Sequence, residues 1–195
     1  MALSFEKFQL VLKEPFGISR GVSSVRDSLF VTMDGCVGEA VPSLYNGETI
    51  ETVISLMKRF EDQIPAEPEG VIHFMQQVNR QIKGNPTFKA ALSMLLWDRL
   101  GKDLGAPLYK IFGLSPSKAP QTSFTVGIST KEDMLRKVQD AAEFPILKIK
   151  LGFPKDIEVM EAIREITDKV LRVDANGGWT AAEAIGKVDR LAELG

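Results

Sequence analysis

The chain has 195 residues, 44% of them hydrophobic, with 24 Lys and Arg against 26 Asp and Glu and a net charge of −2. A near-neutral balance without basic runs argues against a nucleic-acid partner, and no apolar stretch approaches the roughly 20 residues that a membrane-spanning helix needs. The single cysteine, Cys36, excludes an internal disulfide, and Met1–Lys7 lacks the apolar core of a secretory signal, so a soluble cytoplasmic protein of one large or two small domains is expected.

Phe5–Leu12 alternates apolar and polar residues and reads as a strand, and Glu14–Gly21, with one proline and two glycines, reads as a loop. Val25–Met33 and Cys36–Val41 read as strands joined by a tight turn at Asp34–Gly35. Cys36, between Gly35 and Val37, reads as a small buried apolar residue rather than a nucleophile, because no histidine lies near it in sequence. Pro42–Gly47 is a second loop, carrying Tyr45. The helix after it places Ile50, Val53, Ile54, Met57 and Phe60 on one face.

Val71–Ile82 and Phe88–Leu104 read as further helices, the second apolar enough to be buried, and Pro107–Phe112 as a short one stopped by Gly113. The only histidine, His73, falls in a helical pattern and reads as a surface or packing residue. Residues 1–118 therefore form an α+β domain, strands first and helices after.

After the linker Ser115–Pro120 the organisation changes. Strands begin near residues 123, 146 and 170, each followed by a helical pattern. Ser129 with Glu132, and Thr180 with Glu183, are candidate capping boxes for two of these helices. The spacing suits a (β/α) barrel or a doubly wound sheet. No glycine-rich phosphate fingerprint follows any strand, so the nucleotide-binding version is disfavoured.

Two of these strands carry polar residues where a parallel sheet covered by helices would be apolar. In Ile146–Leu151, Leu147, Ile149 and Leu151 alternate with Lys148 and Lys150; in Val170–Asn176, Leu171, Val173 and Ala175 alternate with Arg172, Asp174 and Asn176. Two lysines on one strand are ordinarily a solvated edge, and an aspartate near a strand end is ordinarily a cap. Together, on consecutive strands of one series, they point to a polar barrel interior near the carboxyl ends of the strands, where barrel enzymes keep their chemistry.

Lys148–Ile149–Lys150 followed by Val173–Asp174–Ala175–Asn176–Gly177–Gly178–Trp179 resembles the enolase superfamily, and within it the muconate-lactonising-like branch and its dipeptide epimerases of the L-Ala-D/L-Glu type. The resemblance covers the whole chain. Pro15–Gly21 looks like the mobile first capping loop, Gly38–Ser43 with Gly47–Thr49 like the second, Lys89–Asp98 and Gly105–Tyr109 like the cap helix and its exit, and Thr122–Val126 like the first barrel strand. It implies an α+β capping domain over residues 1–118, then an incomplete (β/α) TIM-type barrel, its first three βα units, over 119–195.

A full barrel needs roughly 200 residues or more. The superfamily's other metal-binding Glu and Asp, its second base and its late substrate-binding aspartates would lie beyond Gly195. The resemblance thus implies the N-terminal half of a homo-oligomeric Mg²⁺-dependent isomerase, the 195-residue chain being inactive alone.

For that chemistry the resemblance implies definite roles. Removing a proton α to a carboxylate creates a dianionic enolate whose charge a site must stabilise as it develops. Asp174, a hard oxygen ligand, suits Mg²⁺. Lys150 is the candidate base. Lys148, one layer deeper, is expected to favour a neutral Lys150 or to contact the substrate carboxylate. Asn176 is expected to support Asp174 or a neighbouring lysine. Thr125 is expected to position the substrate, and Arg20 and Tyr45 to contribute specificity. The substrate implied is a dipeptide or acyl amino acid. Cycloisomerase, N-acyl amino acid racemase and succinylbenzoate synthase chemistry, and a non-catalytic chain, remain alternatives.

Overall fold

The computed structural model describes residues 2–66 and 70–195, and the chain divides into two compact units. One comprises residues 1–11 and 25–119, the other residues 12–24 and 120–195. The chain passes to the second unit at Ala119–Pro120, beside the expected 118/119 boundary; in addition, Leu12–Ser24, assigned on sequence to the first domain, groups with the second unit.

An antiparallel sheet runs in the order β1–β2–β3, with β1 (Ser4–Ile18), β2 (Gly21–Met33) and β3 (Cys36–Ala40); all of it but the hairpin tip Leu12–Ser24 belongs to the first unit. The turn between β2 and β3 is the expected one. Asp34 and Gly35 both have positive φ, 50° and 78°, which closes a two-residue hairpin with Met33 opposite Cys36.

The sequence reading of Glu14–Gly21 as a loop is corrected: β1 runs to Ile18 and β2 starts at Gly21, leaving a turn of Ser19 and Arg20 alone. An edge strand accommodates a proline, because only alternate residues of β1 need an N–H for its one ladder partner, β2.

Among the described residues, the α-helices that follow are α1 (Ile50–Phe60), α2 (Val71–Gln81), α3 (Pro86–Asp103) and the short α4 (Leu108–Ile111). Thr49 caps α1 in a reciprocal box with Thr52. The core joins Leu29, Val31 and Met33 of β2 to Phe88, Ala91, Leu92 and Leu95 of α3 and to Met57 and Phe60 of α1. Phe60 stacks on Phe88 at 5.8 Å between ring centroids. Each Leu, Val, Met or Phe among them contributes roughly 1.5–3 kcal/mol when fully buried. α3 meets β3 at Gly38, where any Cβ would run into the carbonyl oxygen of Ala91. Cys36 is buried, and burial raises its thiol above the usual range. His73 is exposed on α2.

In the second unit β4 (Ser123–Val126), β5 (Ile146–Lys150) and β6 (Val170–Asp174) form a parallel sheet in that order, interleaved with α5 (Lys131–Asp140), α6 (Asp156–Ile166) and α7 (Ala181–Glu193). One face is apolar: Val126, Leu147, Ile149 and Leu151 pack with Met134 and Val138 of α5 and with Val159, Met160 and Ile163 of α6. The Thr180–Glu183 capping box forms at the start of α7 as read. The Ser129–Glu132 box does not. Thr130 is the cap of α5, its hydroxyl accepting from the Asp133 N–H, so the helix starts one residue later than expected.

The hairpin tip in this unit is fixed at several points. Gly17 carbonyl accepts from the Ile128 N–H at 2.9 Å, and Glu14 pairs with Arg136 of α5 at 3.1 Å.

Candidate active site

The parallel register builds the site. Thr125, Lys148 and Arg172 are aligned across β4, β5 and β6, and one step toward the carboxyl ends Lys150 is aligned with Asp174. Aligned residues of parallel strands project to the same face, so the period-two alternation places Lys148, Lys150 and Asp174 together, opposite the apolar core.

They meet directly. Lys148 Nζ and Lys150 Nζ both donate to Asp174 Oδ2, at 2.8 and 2.9 Å. Lys150 also donates to Asn176 Oδ1 at 2.9 Å, while the Asn176 N–H donates to Asp174 Oδ1 at 2.9 Å. Asn176 has φ 49°, a left-handed conformation that asparagine tolerates better than most residues, and this bends the chain back over the strand end.

Lys150 is the more buried lysine, 8% exposed, whereas Lys148 stays half-buried. The Lys148 hydrogen bond first, then that of Lys150 and the Asn176 N–H, hold the Asp174 carboxyl well below its usual range. These three donors occupy three of roughly four lone-pair sites of an ionised carboxylate, leaving one on Oδ1 for a further partner.

The remaining sequence candidates are placed less uniformly. Thr125 sits half-buried on the polar face, in register with Lys148. Arg20 lies exposed at the hairpin turn, its guanidinium beside Gly177 in the loop after β6. Tyr45 belongs to the first unit, 76% exposed on a 3₁₀ turn at Leu44–Asn46. Among the described residues no group of three or more His, Cys, Asp or Glu side chains is arranged to hold a metal, so Asp174 stands as a single carboxylate.

Two features escaped the sequence reading. Ser19, at the hairpin turn, donates its hydroxyl to the Asn176 carbonyl at 3.4 Å and rests against Gly152 and Gly178, where a Cβ would come within 2.7 Å of its own. Asp156, a helix-start carboxylate by its sequence position, is completely buried between the loops that leave β5 and β6. Its sequence signal, an acidic residue in the first turn of a helix, is shared by ordinary solvent-exposed helix starts.

Comparison with known proteins agrees with this architecture. Residues 7–113 match the model of the mandelate racemase/muconate lactonizing enzyme N-terminal domain, and residues 132–195 match an enolase C-terminal domain-like model. The chain is 34% identical over 201 residues to an L-Ala-D/L-Glu epimerase of Bacteroides thetaiotaomicron, covering 100% of this chain and 52% of that protein. Among solved structures, the dipeptide epimerase of Cytophaga hutchinsonii, complexed with Mg and D-Ala-L-Val, superposes with a TM-score of 0.86 at 29% identity, covering 98% of this chain and 56% of that one. The substrate-liganded L-Ala-D/L-Glu epimerase of Bacillus subtilis gives 0.89 at 25% identity, covering 100% and 59%. The chain thus spans about half the length of the curated relatives it matches.

Proposed function

The chain belongs to the mandelate racemase/muconate lactonizing enzyme family of the enolase superfamily, and from that premise we propose that the full-length protein is a dipeptide epimerase, inverting the carbon α to a carboxylate through an enolate. The observation that carries this reading is the meeting of Lys148, Lys150, Asp174 and Asn176 at the carboxyl ends of adjacent parallel strands. The dipeptide class is supported by the names of the relatives matched over the whole of this chain. In this reading β4, β5 and β6 are the first three strands of a closed (β/α) barrel, and residues 1–118 its capping domain.

The residues divide the work. Lys150 takes or returns the α-proton on one face of the substrate. To act as a base it must start neutral, and a neutral amine still donates a hydrogen bond to Asn176 Oδ1. That contact keeps Lys150 aimed while its lone pair faces the substrate. Lys148, deeper on the same strand and more open, offers a cation to the substrate carboxylate. Asp174 fits a Mg²⁺ ion by its hard oxygens and by the lone-pair site left on Oδ1, with further ligands from outside the described residues. When bound, Mg²⁺ supplies positive charge for the developing enolate oxygens. Thr125 positions the substrate from the first strand, and Arg20 contributes to the choice of side chain.

The test is α-proton exchange. The full-length protein is incubated with Mg²⁺ and a panel of dipeptides in deuterated buffer, and NMR follows loss of the α-proton signal and appearance of the epimer. Exchange and epimerisation of at least one dipeptide are expected. Absence of exchange across the panel, with Mg²⁺ binding demonstrated, overturns the reading.

A further inference from the structure

The exits of β5 and β6 are tied together by one buried carboxylate that the chemistry above does not use. Asp156 Oδ1 accepts from the N–H groups of Gly152 and Phe153, at 3.1 and 3.0 Å, in the loop that follows Lys150. Asp156 Oδ2 accepts from the indole Nε1 of Trp179 at 2.5 Å, in the loop that follows Asp174 and Asn176, and from Lys187 Nζ of α7 at 2.8 Å. The Lys187 ammonium also stands 4.9 Å from the Trp179 ring centroid. Four donors thus match the four lone-pair sites of a carboxylate that is 0% exposed, which is what makes its burial tolerable.

A carboxylate needed only to start α6 would be satisfied by the first oxygen. The second reaches across to the next strand's loop. The two loops also touch directly: the Leu151 N–H donates to the Asp174 carbonyl at 3.0 Å, and a Cβ on Gly178 would stand 2.8 Å from Gly152 Cα. Lys150 precedes Gly152 by two positions, and Asn176 precedes Trp179 by three. The tether therefore spans the two segments whose relative placement decides where Lys150 Nζ stands against Asp174 Oδ2 and Asn176 Oδ1.

We infer that Asp156 is a positioning residue for the reaction: by holding the loops after β5 and β6 in one register, it sets the place of Lys150 against Asp174 and Asn176. The kinetic part of this inference rests on the epimerase reading above; the structural part does not. Asp156→Asn is the informative variant. An amide has one oxygen and one NH₂ group, so whichever way it turns, one pair of donors keeps its acceptor and the other pair faces N–H, donor against donor. Half of the tether is cut.

Two readouts on the full-length enzyme are taken together. The first is kinetic: kcat is expected to fall roughly 10–100-fold with KM moving less than about threefold. α-Proton exchange from the substrate epimer served by Lys150 is expected to fall more than exchange from the other. The second needs no activity. In protein carrying isotope-labelled lysine, the side-chain resonances of Lys150, assigned by their loss in Lys150→Arg, are expected to shift in Asp156→Asn.

A folded Asp156→Asn enzyme with unmoved Lys150 resonances overturns the inference, whatever its rates. Equal loss in both exchange directions also overturns it, since that is what a merely structural residue would give. Shifted Lys150 resonances in a protein that exchanges no dipeptide α-proton would sustain the positioning role while rejecting the epimerase reading. Should Asp156→Asn not fold, Trp179→Phe, which removes the indole donor and leaves a smaller aromatic ring beside Lys187, carries the same test with the same outcomes.

Discussion

Lys150 and Asp174 face each other at one register position of adjacent parallel strands, 24 residues apart in sequence and 2.9 Å apart between Nζ and Oδ2. The same carboxylate oxygen takes Lys148 at 2.8 Å, so a single oxygen is shared by two lysine side chains on the strand beside it. The arrangement makes each of the three side chains separately testable.

Replacing Lys150 removes one proton carrier, together with its hydrogen bonds to Asp174 and Asn176. Lys150→Met in the full-length enzyme is expected to lower α-proton exchange on one stereochemical face by at least about 100-fold, the usual scale of a positioned acid–base group. Exchange is to be measured from each substrate epimer separately in deuterated buffer. Equal, wild-type-like exchange from both epimers would remove Lys150 from the mechanism.

Asp174→Asn keeps the shape of the side chain and deletes its charge. Mg²⁺ affinity is expected to drop about tenfold or more, because affinity at oxygen sites follows the number of anionic ligands. Calorimetric titration of both proteins with Mg²⁺ decides it, and identical binding curves would show that Asp174 is not a ligand.

The depressed Asp174 carboxyl also predicts a pH dependence of stability. Its folded value lies below the ordinary 3.8, chiefly through Lys148, then Lys150 and the Asn176 N–H. A lowered carboxyl stabilises the folded state fully above its unfolded value and loses that contribution as pH falls toward the folded one. With chelator present, the excess Tm of wild type over Asp174→Asn should be constant near neutrality and shrink below about pH 4. A gap that stays level down to about pH 2 contradicts the ion-pair account.

Gly38 tests the packing of the first unit. A methyl group there meets the Ala91 carbonyl of α3, which is backbone and cannot swing aside. Gly38→Ala is expected to destabilise the protein by about 1–3 kcal/mol through forced separation of β3 and α3. Denaturant unfolding is the measurement, and unchanged stability would mean that the α3 backbone yields at no cost.

What the sequence alone determined about this protein lies within a few residues of itself. The alternation of Leu147, Ile149 and Leu151 with Lys148 and Lys150 assigned the two faces of β5, because side chains of an extended chain alternate whatever surrounds them. Asp34–Gly35 specified its turn through two positive φ values, and Thr180 with Glu183 specified the start of α7 by a bond pair closed within four residues.

Tertiary structure decided the rest. Pro15 and Gly17 read locally as loop, yet β1 carries both, because an edge position excuses the missing N–H and the approach of Ile128 excludes a side chain at Gly17. Periodicity names the polar face of each strand but not the register between strands, so the pairing of Lys150 with Asp174 rather than Arg172 came only from the folded sheet. The contact of Ser19 with Asn176, 157 residues away, has no local trace. Neither has the burial of Asp156, since a carboxylate at a helix start looks the same in sequence whether water or an indole and an ammonium satisfy it.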